Sequence, residues 1–148
     1  MKSKHRAAVL LAAALFAPLA AWAADPVGRW TTIDDETGKP KSIVEIYKTD
    51  QGTLAGKVVQ VLQSDQGPHP RCVKCSGPLK DKPVEGMVIL WGLKPDGDQV
   101  WSGGNILDPH NGKTYKSKIT LIEDGRKLQM RGYIGFEALG RTQTWVRD

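Results

Sequence analysis

The chain has 148 residues, with 21 Lys+Arg against 16 Asp+Glu, and a formal net charge of +5. That length suits one domain, and 40% hydrophobic with 25% charged residues describes a folded soluble chain rather than a disordered one. Three of the basic residues stand in the first six positions, and no Lys/Arg cluster elsewhere marks a nucleic-acid surface, so nucleic-acid binding drops out.

Lys2, Lys4 and Arg6 precede an apolar run from Ala7 to Leu19, and Ala21-Trp22-Ala23 reads as a small-x-small cleavage site. This is the pattern of a secretory signal peptide, too short for a stable membrane span. Residues 1–23 are therefore expected to be removed, leaving 24–148 as one periplasmic or secreted domain, a monomer with no membrane span. No Cys follows the cleavage site, so no lipid anchor is expected. Without the leader, 18 basic residues face 16 acidic ones, a balance of only +2.

From Gly28 onward, β-branched and aromatic stretches alternate with turn signals about every 8–12 residues, the spacing of a sandwich or barrel. Strands are predicted at Gly28–Thr32, Ser42–Lys48, Thr53–Leu62, Gly86–Leu93, Gln99–Asp108, Lys113–Ile122, Arg126–Ile134 and Arg141–Arg147. Most of the intervening turns place Gly where a hairpin needs positive φ, as in Asp50-Gln51-Gly52 and Asp124-Gly125. The one long connection is Gln63–Glu85, rich in Pro, Gly and Lys. Eight sequential antiparallel strands leave two open edges unless they close, and closure gives a barrel wide enough for side chains or one small ligand. The expected fold is all-β: an eight-stranded antiparallel up-and-down barrel, with a two-sheet sandwich as the alternative.

Turn lengths fix which residues face inward. A two-residue turn at Asp124-Gly125 sets Leu121 against Leu128, Ile119 against Met130, Ser117 against Gly132 and Tyr115 against Ile134. Three-residue turns at the two preceding hairpins extend the inner face to Leu107, Asn105, Gly103 and Trp101, then Leu93, Trp91, Ile89 and Met87. Trp91 then sits opposite Trp101. A four-residue connection at Asn111-Gly112 would instead turn Trp101 and Asn105 outward. In the first clear hairpin, Val44 and Ile46 face inward with Leu54, Gly56 and Val58, leaving Glu45 and Lys57 as an exposed pair.

Cys72-Val73-Lys74-Cys75 has three readings. In an oxidising compartment two Cys so close form a local disulfide, worth on the order of 2 kcal/mol. A redox reading asks for a helix N-terminus at the first Cys, which this Pro-flanked loop does not offer. A metal reading would enlist His69 and His110. The disulfide is preferred. Asp34-Asp35-Glu36 could suggest a calcium or acid–base site, but Thr37-Gly38 follows at once, as in a hairpin tip where Asp caps its own backbone, and a Ca loop needs more widely spaced oxygen ligands. No nucleophile–base constellation, Gly-x-Ser-x-Gly elbow or phosphate-cradling loop is present, so no catalytic residue, metal or cofactor is assigned.

Gly28-x-Trp30 on the first strand, with Arg141 and Arg147 on the last, resembles the lipocalin-like (calycin) arrangement, in which a Trp closes one barrel end under a late Arg. Longer strings extend the likeness. They include Gly28-Arg29-Trp30-Thr31-Thr32-Ile33-Asp34-Asp35-Glu36-Thr37-Gly38, Gly86-Met87-Val88-Ile89-Leu90 and Gly103-Gly104-Asn105-Ile106-Leu107-Asp108-Pro109. Asn111-Gly112-Lys113-Thr114-Tyr115, Arg131-Gly132-Tyr133-Ile134-Gly135 and Leu139-Gly140-Arg141-Thr142-Gln143-Thr144-Trp145 complete it. Together they resemble the bacterial family called domain of unknown function 2147. The resemblance implies a small exported protein with a lipocalin-like barrel and carries no activity with it.

The functional expectation rests on the inner face. Trp91, Trp101, Tyr115 and Met130, with Asn105 and Ser117 as placed polar groups, form the expected binding set for a small hydrophobic or amphipathic ligand. The alternative is an envelope interaction module that docks a partner protein through Arg131, Tyr133 and the Gln63–Glu85 loop.

Overall fold

A computed structural model of the chain describes residues 13–17 and 24–148. The leader read at residues 1–23 lies outside the described residues, but for 13–17. Eight strands follow: β1 (Gly28–Ile33), β2 (Pro40–Lys48), β3 (Leu54–Val61), β4 (Val88–Pro95), β5 (Val100–Asp108), β6 (Lys113–Ile122), β7 (Lys127–Tyr133) and β8 (Arg141–Arg147). Each pairs antiparallel with its neighbour in sequence. β1 also pairs with β8 through Trp30↔Arg147, Thr31↔Val146 and Thr32↔Trp145, so the sheet closes into a barrel. Closure leaves no unpaired edge and excludes the sandwich. Among the described residues, no helix is long and apolar enough to cross a membrane.

The interior is filled where strand alternation points apolar side chains inward. Trp30, Val44, Ile46, Leu90, Leu93, Ile119, Leu128 and Trp145 are almost wholly removed from solvent, each burial of this size contributing about 1.5–3 kcal/mol. The tight hairpins fix register as expected. Glu45 faces Lys57, Ile46 faces Gly56 and Val44 faces Val58 across β2–β3. Leu121↔Leu128, Ile119↔Met130 and Ser117↔Gly132 align β6 with β7. That ladder ends at Tyr133, so Ile134 lies beyond it and in solvent, not opposite Tyr115 on the inner face.

The middle of the barrel corrects the expected register. The β5–β6 connection spends four residues, Pro109–Gly112, because Asp108 pairs with Lys113. Gly104 and Ile106 consequently face Ser117 and Tyr115, and Asn105 turns outward opposite Lys116. The register then shifts between Trp101 and Gly104, around Gly103 with its φ of 73°, and returns Trp101 to Ile119 and to the core. On β4 a second irregularity lies at Gly92, with φ 77°. Leu90 pairs inward with Ile106 and Leu93 with Leu54, while Trp91 faces outward against Asn105, 37% exposed. Bulges reset which side chains face in, and glycine is the residue that adopts the positive φ they need. Trp91 and Asn105 are thus off the inner face, and Trp101 stands beside Pro95 rather than Trp91.

Candidate functional site

The two ends of the barrel are built differently. At one end Trp30 plugs the interior and donates its indole N–H to the Pro26 carbonyl at 2.9 Å. The Arg147 guanidinium lies 4.3 Å from the centre of that ring. It also donates to three backbone carbonyls: Gly125 at 2.8 Å, Val27 at 3.2 Å and Asp25 at 2.7 Å. A planar fork can stack and donate in its plane at once, which an ammonium cannot. This end is sealed.

The other end is open. A cavity of about 560 Å³ enters the barrel there, within the usual size range of small-ligand sites. Its apolar wall is made by Val58, Val84, Ile89, Ile106, Met130 and Trp145, its rim by polar groups on the connecting hairpins. One wall is the Gln63–Glu85 connection, which folds back on itself. Arg71 bridges to Pro83, Cys72 N–H donates to the Lys82 carbonyl, and Val84 N–H donates to the Pro70 carbonyl. A disulfide joins Cys72 and Cys75, both sulfurs lying in the core, with Cys72 Sγ 3.4 Å from the Pro109 carbonyl oxygen. The staple presses this segment so closely onto the β5–β6 turn that a Cβ at Gly112 would collide with the Lys74 carbonyl. Buried sulfurs suit a structural bond rather than exchange with a partner thiol.

The rim is electrostatically ordered. Asp34 Oδ1 accepts the backbone N–H groups of Glu36 and Thr37, each at 2.9 Å, which caps the β1–β2 hairpin. The Thr37 N–H, with that of Glu36 beside it, holds the Asp34 carboxyl below its ordinary pKa. Arg141 donates from Nε and Nη2 to the two oxygens of Asp35, and its Nη2 lies 3.6 Å from Glu36. That charge-assisted fork lowers the Asp35 pKa and raises that of Arg141. Asp65, Asp108 and Lys41 also line the opening, with His110 Nε2 3.9 Å from the Asp65 carboxylate. His110 is largely exposed.

Of the six side chains expected to bind ligand, Tyr115 and Met130 line this cavity. Tyr115 is fixed by Asn111, whose amide donates to the phenolic oxygen at 2.9 Å. Ser117 lies directly across from the cavity-lining Gly132 but does not itself line the cavity; its fully buried hydroxyl has no hydrogen-bond partner among the described residues. Trp101 packs with the core away from the cavity, while Trp91 and Asn105 sit outside. Sequence reasoning missed Trp145, the indole that does line the cavity, and the Arg141–Asp35 clasp. The signal for Trp145 was alternation along β8, since Arg147 and Trp145 are two residues apart and share a face. The seven residues between β7 and β8 left that face without a tight turn to orient it.

Residues 28–147 match the model of a family described as an uncharacterized protein conserved in bacteria, DUF2147. Among solved structures, protein HP1028 from the human pathogen Helicobacter pylori, described as belonging to the lipocalin family, is similar with a TM-score of 0.72. It is 23% identical, and the match covers 84% of this chain and 84% of that one, a likeness of fold. No curated protein matches the chain.

Proposed function

We propose, from the premise that this chain belongs to the bacterial DUF2147 family and has a lipocalin-like barrel, that it binds and carries a small amphipathic molecule without catalysing its conversion. The apolar part lies against Ile89, Ile106, Met130 and Trp145, and the polar part at the rim. One observation carries this reading: a barrel plugged at one end by Trp30 and Arg147 and hollow at the other. A solid core would have spent that volume on packing. Among the described residues that line the cavity, five carboxylates, Asp34, Asp35, Glu36, Asp65 and Asp108, outnumber the cations Lys41 and Arg141, so the rim favours a neutral or cationic head over an anionic one. With the leader of residues 1–23 removed, the carrier works as a monomer in the periplasm or outside the cell.

The test is titration of residues 24–148 with two fluorescent amphiphiles of matched tail, one bearing a quaternary ammonium and one a sulfonate, while Trp emission is followed. The expected result is saturable one-to-one binding, tighter for the cation. Binding is lost when Ile106→Trp fills the cavity, with thermal unfolding still cooperative. Unsaturable uptake, or binding that survives the filled cavity, overturns the reading.

A further inference from the structure

The β7–β8 connection holds its largest apolar side chains in solvent. Ile134 is 66% exposed, Phe136 77% and Leu139 79%. A free loop would fold such groups away, but this one is tied in place. Arg131 donates from Nε to the Glu137 carbonyl at 2.9 Å, from Nη2 to the Ala138 carbonyl at 3.3 Å and from Nη1 to Thr142 Oγ1 at 2.7 Å. Lys118 Nζ reaches Glu137 Oε1 at 3.0 Å, and Leu139 and Gly140 N–H groups close a 3₁₀ turn onto Phe136 and Glu137. A Cβ at Gly140 would stand 2.7 Å from the Gly132 carbonyl oxygen, so the turn sits hard against β7. The chain commits backbone and side-chain hydrogen bonds to presenting an apolar tip.

The wall beside the tip is basic. Lys116 pairs across strands with Tyr133, and Lys118 with Arg131, all on the outer face of β6–β7. Two cations directly opposite one another repel; the Glu137 carboxylate is bonded to Lys118, whereas Arg131 is bonded to main-chain carbonyls and a hydroxyl. An apolar tip, an amphipathic ring at its base and a cluster of Lys and Arg above is the chemistry of a surface that seats in the headgroup zone of an anionic bilayer. The shape agrees. The tip is a projecting turn, and the closed barrel has no free edge onto which a second copy could add a strand. Three side chains offer on the order of a few hundred Å², short of what a stable dimer buries.

We propose that the Ile134–Leu139 tip, flanked by Lys116, Lys118, Arg131 and Tyr133, docks this barrel onto the surface of an anionic phospholipid bilayer. Docking needs no occupant in the cavity, so it stands or falls apart from the carrier reading.

The experiment is co-sedimentation of residues 24–148, which contain every strand of the barrel, with vesicles of phosphatidylcholine alone or mixed with phosphatidylglycerol. The chain partitions onto the mixed vesicles and at least about tenfold less onto the neutral ones. Phe136→Ser with Leu139→Ser weakens partitioning by about tenfold or more, and Lys116→Glu by several-fold. Both keep the wild-type circular dichroism and amphiphile binding. Equal partitioning onto both vesicle types, or an unaffected double variant, overturns the proposal. So does self-association in sedimentation velocity that the double variant abolishes, which assigns the tip to a second copy, or vesicle-independent capture by a purified envelope protein, which assigns it to a protein partner.

Discussion

Two arginines on the same strand, Arg141 and Arg147, mark the two ends of the barrel and have opposite surroundings. Arg147 lies over a buried indole and is bound by three backbone carbonyls, groups that cannot titrate, move far or be displaced. Arg141 is itself exposed and holds carboxylates on a hairpin tip, groups that change charge with pH and can swing away. The difference separates a joint that closes the fold from a clasp that borders an entrance. Partners drawn from the main chain make an interaction part of the architecture, whereas partners drawn from exposed side chains leave it adjustable.

Unplugging the sealed end should do the most damage. Trp30→Ala should cost about 3–5 kcal/mol in denaturant unfolding, the usual range for a fully buried Trp. Loss of less than about 1 kcal/mol would mean that the plug is not holding the barrel shut. A graded version compares the arginines directly. Arg147→Ala should cost about 1–2 kcal/mol, since it uncovers Trp30 and frees the part-buried Gly125 carbonyl, and Arg147→Lys should recover little of it. Arg141→Ala should cost less than about 1 kcal/mol, because the pair it breaks is solvated. Equal losses at the two positions would erase the distinction between joint and clasp.

The smallest expected effect is in pH. Asp34 and Asp35 both have carboxyl pKa values lowered in the folded state, by the Thr37 N–H and by Arg141 respectively. A lowered folded pKa gives stability that is present above the unfolded carboxylate value, about 3.9, and is lost as pH falls through the folded one. The hairpin should therefore loosen only in acid below about pH 4, with no change between pH 6 and 8 from these groups. Carboxyl chemical shifts followed by NMR would check it, and Arg141→Ala should move the Asp35 midpoint upward while leaving that of Asp34 nearly in place.

The number of strands, their order and the closed topology were legible because hairpin glycines and strand alternation agree along most of the chain. Register was legible at β2–β3 and β6–β7, where tight turns leave one pairing that buries Val44, Ile46, Ile119 and Leu128 together. It failed at β4 and β5 for a definite reason. A glycine inside a strand reads equally as an ordinary residue or as a bulge, and the bulges at Gly92 and Gly103 decide which of Trp91, Asn105 and Trp101 faces the interior. The candidate site was half legible. Tyr115 and Met130 follow from the β6–β7 ladder, but the cavity's volume depends on how the Gln63–Glu85 segment lies across the β5–β6 turn. No local pattern specifies that. Arg141 with Asp35 joins residues 106 apart in sequence, and nothing short of the closed sheet brings them together.

The seam between β1 and β8 also sets a schedule. Trp30 waits for Arg147, and Thr32 for Trp145, so the ring cannot be completed until almost the last residue is available. Such distant pairing slows folding. A chain exported as proposed would thus stay open along this seam throughout its passage, and would lock only when β8 arrives on the far side.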